Sequence, residues 1–130
     1  MKVVVDTNVL VSAFINANGT PAKILSLILN RKIKILYDNR IIFEYTEVLT
    51  RKEFGFSLEI IKDMIEFIKH EGEYIVSEHS DKNFIDEKDK KFYEVFKTGN
   101  AKYLITGNIK HYPKEKTVVL PKDFLDALSP

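Results

Sequence analysis

The chain has 130 residues, 45% hydrophobic and 30% charged, a balance that fits one globular domain over residues 1–130 with a real core. Its net charge is +1, so the overall field does not draw in a polyanion, and nucleic acid would have to be held by a local patch or by bound metal. It has no cysteine, which excludes disulfides and thiolate metal sites; no run approaches the ~20 apolar residues of a membrane span, and Asp6 interrupts the first apolar run too early for a secretory signal, so the expected location is the cytoplasm.

Val3, Val4 and Val5 form an unbroken β-branched run, which reads as a strand buried on both faces of a parallel sheet. Val9, Leu10, Ala13 and Phe14 return at helical spacing and predict a crossover helix from Asn8 to about Phe14. Asp6 therefore follows the carboxyl end of the first strand, the edge at which open α/β sheets bind ligands. Taken alone, Asp6 or Thr7 is more simply an N-cap of that helix.

After a loop at Asn16 to Gly19, Thr20 and Pro21 predict a second helix, capped by the threonine and buried along Ile24, Leu25 and Ile28. Arg31 to Lys34 closes it with basic residues. Ile33, Ile35 and Tyr37 alternate with Lys32, Lys34 and Leu36, predicting a second strand with one buried face. Asp38 or Asn39 caps a third helix reaching about Lys52, with Ile41, Ile42, Tyr45, Val48 and Leu49 on one arc. Glu44 lies at the rim of that arc, and Phe43 points away from it. Gly55 breaks the chain, Ser57 caps a fourth helix, and Ile61, Met64, Ile65 and Ile68 form its core stripe. Gly72 ends that helix, and Tyr74 to Val76 is a third strand.

Residues 77–88 read as loop. Asp86-Glu87-Lys88-Asp89 opens a fifth helix carrying Phe92, Val95 and Phe96, stopped by Gly99. Tyr103 to Ile105 is a fourth strand ending in Thr106-Gly107-Asn108. Lys110, His111 and Pro113 lie in a loop, Val118 to Leu120 is a fifth strand, and Pro121 starts a last helix with Phe124, Leu125 and Leu128 on one side. Strands alternating with helices predict a three-layer α/β/α sandwich with a central parallel sheet and right-handed crossovers. In strand order 3-2-1-4-5, Asp6 and Asn108 face one crevice between strands 1 and 4.

Asp6, Glu44, Asp89 and Asn108, with Asp86 and Thr106 nearby, are the candidates for chemistry. Oxygens converging without matching basic residues suit a hard cation such as Mg²⁺ or Mn²⁺ rather than zinc. His70, His79 and His111 have no metal-ligand spacing and read as surface residues. Each candidate has a simpler role: Asp86 and Asp89 as a cap and a first-turn acid, Glu44 as a solvated rim residue, Asn108 as a turn residue, and Lys110, Lys114 and Lys116 as solvated lysines. It is four of them meeting at one edge that makes a site.

The chain resembles the PIN-domain family of metal-dependent ribonucleases, best in the branch of toxins from toxin–antitoxin pairs. Val3-Val4-Val5-Asp6-Thr7-Asn8-Val9-Leu10 resembles the opening motif. Phe43-Glu44-Tyr45-Thr46-Glu47-Val48-Leu49 resembles the second segment, Asp86 to Phe92 the third, and Tyr103-Leu104-Ile105-Thr106-Gly107-Asn108 the fourth. The resemblance implies Asp6, Glu44 and Asp89 as Mg²⁺ or Mn²⁺ ligands, Asn108 as ligand or water-orienting group, and Thr7, Asn8 and Thr106 as supports for the carboxylates. It implies metal-assisted hydrolysis of RNA phosphodiester bonds, a cognate antitoxin protein and a homodimer. The family often carries Asp where this chain has Asn108, which leaves one or two metals open. That substitution also keeps alive a catalytically degenerate module that binds RNA or a protein without cutting. A phosphatase with an aspartyl nucleophile fits less well, because such enzymes want a second acid where Asn8 stands.

Overall fold

The structure is a computed structural model that describes residues 1–129. Five strands, β1 (Lys2–Val5), β2 (Lys34–Tyr37), β3 (Glu73–Tyr74), β4 (Tyr103–Ile105) and β5 (Val118–Val119), make one sheet among the described residues, in the order β3-β2-β1-β4-β5. Every pairing in it is parallel. The helices are α1 (Thr7–Ile15), α2 (Thr20–Leu29), α3 (Asn39–Leu49), α4 (Leu58–Glu71), α5 (Lys90–Thr98) and α6 (Pro121–Leu128). The predicted strand order and layers are those observed.

β1 is central. Val3, Val4 and Val5 are fully buried, with Val3 beside Ile35 of β2 and Val3, Val4 and Val5 beside Tyr103, Leu104 and Ile105 of β4. The chain crosses the sheet one way through β2 to β3, then returns the other way to β4 and β5. Right-handed crossovers in opposite directions put α1 to α4 on one face and α5 on the other. α6 packs back on α2.

The alternation expected in β2 does not hold, because Leu36 is as buried as Ile35 and Tyr37. β2 lies inside the sheet and is covered on both sides. The Tyr37 hydroxyl donates to Lys69 O of α4 at 2.7 Å, while Leu36 packs toward Gly99 at the end of α5, where an added Cβ would come within 2.7 Å of Leu36 Cδ1. Gly72 likewise lets the end of α4 approach β2, since a Cβ there would lie 2.5 Å from Ile35 O.

Several boundaries differ from those expected. α1 begins at Thr7, one residue earlier. Gly19, not Thr20, occupies the N-cap of α2, with Pro21 in the first turn. α2 stops at Leu29 and β2 starts only at Lys34, so Arg31 to Ile33 belong to neither; α3 stops at Leu49, and β3 covers Glu73–Tyr74 and leaves Ile75 and Val76 beyond it. Asp38 and Ser57 cap α3 and α4 as expected, accepting from Ile41 N at 3.0 Å and Ile60 N at 3.3 Å. The acidic segment before α5 is a separate 3₁₀ turn (Glu87–Asp89) capped by Asp86, whose Oδ1 accepts from Lys88 N at 2.9 Å. Gly99 is the C-cap of α5, as expected, and the left-handed residue that follows it is Asn100, with φ 54°. A second 3₁₀ turn (Ile109–His111) follows β4, and β5 ends at Val119. Among the described residues no helix is long and apolar enough to cross a membrane.

Candidate active site

β1 and β4 are neighbours at the point where chain direction across the sheet reverses, and the carboxyl ends of the strands open there into a cleft of about 1220 Å³. Asp6 and Thr7 reach it from the end of β1, Phe43 and Glu44 from α3, and Asp89 and Lys91 from the start of α5. Three carboxylates separated by 38 and 45 residues in sequence thus share one cavity.

Asp6 holds the N-cap position of α1, but its side chain makes no capping bond. Its Oδ2 accepts from Thr106 Oγ1 at 2.8 Å and from Tyr112 Oη at 2.9 Å. Both hydroxyls go to one oxygen, which leaves Oδ1 to the cleft. The residue is 4% exposed. Burial pushes its carboxyl up to about 6; the two hydroxyl donors work against that shift, and the charges of Asp89 and Glu44 add to it. Tyr112 is itself pushed well above the usual phenol range by burial and by the Asp6 charge, so it stays a proton donor.

Glu44 accepts from Thr7 Oγ1 through Oε2 and pairs through Oε1 with Lys91 Nζ at 2.6 Å. Two residues below the lysine, Asp89 occupies the N-cap position of α5, again without a capping bond. Its Oδ2 lies 3.0 Å from His111 Nδ1. Burial raises its carboxyl, and the His111 contact opposes the rise.

Of the expected supports, Thr106 touches the Asp6 carboxylate, whereas Asn8 touches none of the three acids. Thr106 is fully buried, and its Oγ1 donates to Asp6 while accepting from Asn108 N at 3.0 Å. Asn8 Oδ1 accepts from Gly107 N at 3.0 Å and ties the turn after β1 to the turn after β4. Asn108 is exposed and is not among the residues lining the cleft; its contact with the site is through its backbone N–H.

Three residues of the site were not legible as such. His111 read as a surface histidine, but it is only partly exposed and faces Asp89, against which the second 3₁₀ turn sets it. Tyr112 lies 106 residues from its partner Asp6, and no local pattern announces that contact. Lys91 had one usable signal: a cation in the first turn of a helix opposes the dipole and calls for an acidic partner.

The donor set is carboxylate oxygen, supported by hydroxyl and amide groups, and in kind it fits a hard divalent cation. As the side chains stand, no group of three or more His, Asp or Glu residues among those described is arranged to hold a metal ion. Glu44 is engaged by Lys91 and Thr7, and Asp89 by His111. Oδ1 of Asp6 is the ligand atom that needs no rearrangement.

A parallel sheet between layers of helices, with acids gathered at its carboxyl edge, defines an α/β protein with an acidic cleft. The family model described as a PIN domain matches residues 2–110, and the chain belongs to the PIN-domain family, which is of nuclease type. One relative is the uncharacterized protein MJ1680 of Methanocaldococcus jannaschii, 48% identical over 56 residues. That match takes in 43% of this chain and 30% of that protein's length. No solved structure matches the chain.

Proposed function

We propose that the chain is a metal-dependent endoribonuclease, with Asp6, Glu44 and Asp89 as ligands of Mg²⁺ or Mn²⁺. The observation that carries this reading is the meeting of these three acids, from β1, α3 and α5, in one cleft at the switch point of the sheet. The chemistry that such an ion supplies when bound is a lowered pKa of water and charge neutralisation at a phosphodiester. The protein's own part is positional. Thr106 and Tyr112 fix the Asp6 carboxylate, Thr7 fixes that of Glu44, and His111 fixes that of Asp89. Asn108 enters through its backbone, as a brace for Thr106.

RNA as substrate, with single-stranded or looped segments favoured because their backbone is accessible, follows the family. The role of toxin beside a cognate antitoxin, as a cytoplasmic homodimer, rests on the likeness of the four sequence segments to that branch. The alternative, a module that binds RNA or protein without cutting, is favoured by the Lys91 contact on Glu44 and by the exposed Asn108.

Calorimetric titration of Mn²⁺ and Mg²⁺ into the wild type, Asp6→Asn and Asp89→Asn, followed by incubation with labelled single-stranded RNA, separates the readings. Metal binding and cleavage lost together in both variants support the nuclease. Metal binding without cleavage supports the binding module. No metal binding in three folded proteins overturns the shared acidic site.

A further inference from the structure

Both oxygens of Glu44 are engaged, Oε2 by the Thr7 hydroxyl and Oε1 by the Lys91 ammonium at 2.6 Å. The Lys91 side chain is 12% exposed, although lysine is almost never buried without a partner. It sits in the first turn of α5, where the helix dipole disfavours a cation. Its other contacts are the Lys88 carbonyl, to which it donates, and the Phe92 ring, 5.1 Å from Nζ. The arginines at the cleft are used differently. Arg40 pairs with Asp38 and Glu94, and Arg51 with Glu47, all outside the three-acid group. Lys91 is thus a cation turned inward on the carboxylate at the centre of the cleft.

We propose that Lys91 is a built-in counter-cation that competes with a divalent metal ion for Glu44, so that metal loading expels its ammonium from the cleft. The inference rests on the metal-binding part of the proposed function. Two positive centres on one carboxylate oxygen would lie within a few ångströms of each other in a half-buried site, where water screens them poorly. The four-carbon lysine stem permits the exit, since its head can reach solvent while the stem stays packed. Without metal, the same contact keeps Glu44 from adding an unpaired negative charge beside buried Asp6.

The test compares the full-length wild type, Lys91→Met and Lys88→Met by Mn²⁺ calorimetry. It also maps lysine acetylation by mass spectrometry in the wild type, with and without Mn²⁺. Lys91→Met is expected to bind Mn²⁺ about tenfold more tightly, the change given by ~1.4 kcal/mol. Lys88→Met, which removes an exposed charge at the same cleft, is expected to gain no more than about twofold, because solvent screens it. Acetylation of Lys91 is expected to rise on adding Mn²⁺ while that of exposed Lys62 on α4 stays constant. Mn²⁺ binding by the wild type with unchanged Lys91 labelling, and unchanged or weakened affinity in Lys91→Met, overturns the competition and leaves the nuclease reading standing. No Mn²⁺ binding by wild type or Lys91→Met overturns both. Should Lys91→Met fail to fold, the labelling of the wild type decides alone.

Discussion

The Tyr112 hydroxyl donates to Asp6 Oδ2 at 2.9 Å, on the oxygen that also accepts from Thr106. A buried carboxylate with two donors on one oxygen is oriented, and its second oxygen is aimed into the cleft. Tyr112→Phe removes one donor from the charged form. The expected cost in stability is about 1 kcal/mol, the net worth of one hydrogen bond. The Asp6 carboxyl should rise above its present value of about 6, and the pH midpoint of Mn²⁺ binding should move up with it. Calorimetry between pH 5.5 and 8 checks this; an unmoved midpoint would mean that Tyr112 packs without tuning the carboxylate.

Asp6 is also a stability liability without metal. Its carboxyl is raised from 3.8 to about 6 by folding, so the folded state favours the protonated form. The sign follows: there is no cost below the unfolded value near 4, and the cost grows as pH rises to about 6 and is constant above. Two pKa units correspond to about 2–3 kcal/mol. Asp6→Asn, which cannot ionise, is therefore expected to unfold at a higher temperature than the metal-free wild type at pH 7.5 and to lose that advantage at pH 4. Thermal melts at the two pH values decide it, and saturating Mn²⁺ should narrow the gap at pH 7.5 by stabilising the wild type.

Glu94 presents the opposite case. It is 3% exposed, and accepts from Arg40 Nη1 at 2.8 Å and from Ser80 N at 2.7 Å. Burial works against its charge, but these donors prevail and hold the carboxyl below the usual range. Its contribution is present above the unfolded value of 4.5 and is lost in acid. Glu94→Gln leaves one acceptor oxygen for two donors, so that either Arg40 or the Ser80 N–H faces an amide NH2. The expected loss is about 2–3 kcal/mol, under the ~3–5 of a fully buried pair because Arg40 is half-exposed. Urea unfolding measures it. Faster proteolysis within residues 77–86 would accompany it, since Glu94, with Thr98 and Tyr93, ties that loop to α5.

The strand order was legible because β-branched runs alternate with helical stripes, and right-handed crossovers leave few topologies. The meeting of Asp6, Glu44 and Asp89 was legible for the same reason, as each follows a strand end or sits in an early turn of a helix. The burial of Leu36 was not, because polar Lys32 and Lys34 precede it and only the finished sheet covers both faces of β2. The contacts that neutralise the acids were hidden too. Tyr112, His111 and Lys91 reach Asp6, Asp89 and Glu44 through loop geometry and side-chain direction, which periodicity does not encode.

Asn108 occupies the place where the family often has an acid, and the structure gives its side chain no part in lining the cleft. It is exposed, and its backbone N–H braces Thr106 Oγ1 at 3.0 Å. Asn108→Ala keeps that N–H, so Thr106 still orients Asp6. The expected change in stability is within about 0.5 kcal/mol, as for other surface substitutions, and Mn²⁺ affinity should change by less than about threefold, since more would need over ~0.7 kcal/mol. Thr106→Val, which removes the hydroxyl and leaves the backbone bond from Asn108 without an acceptor, should weaken Mn²⁺ binding more than Asn108→Ala does. The reverse ranking, measured by the same titration, would make the Asn108 side chain a ligand and require the second 3₁₀ turn to close over the metal.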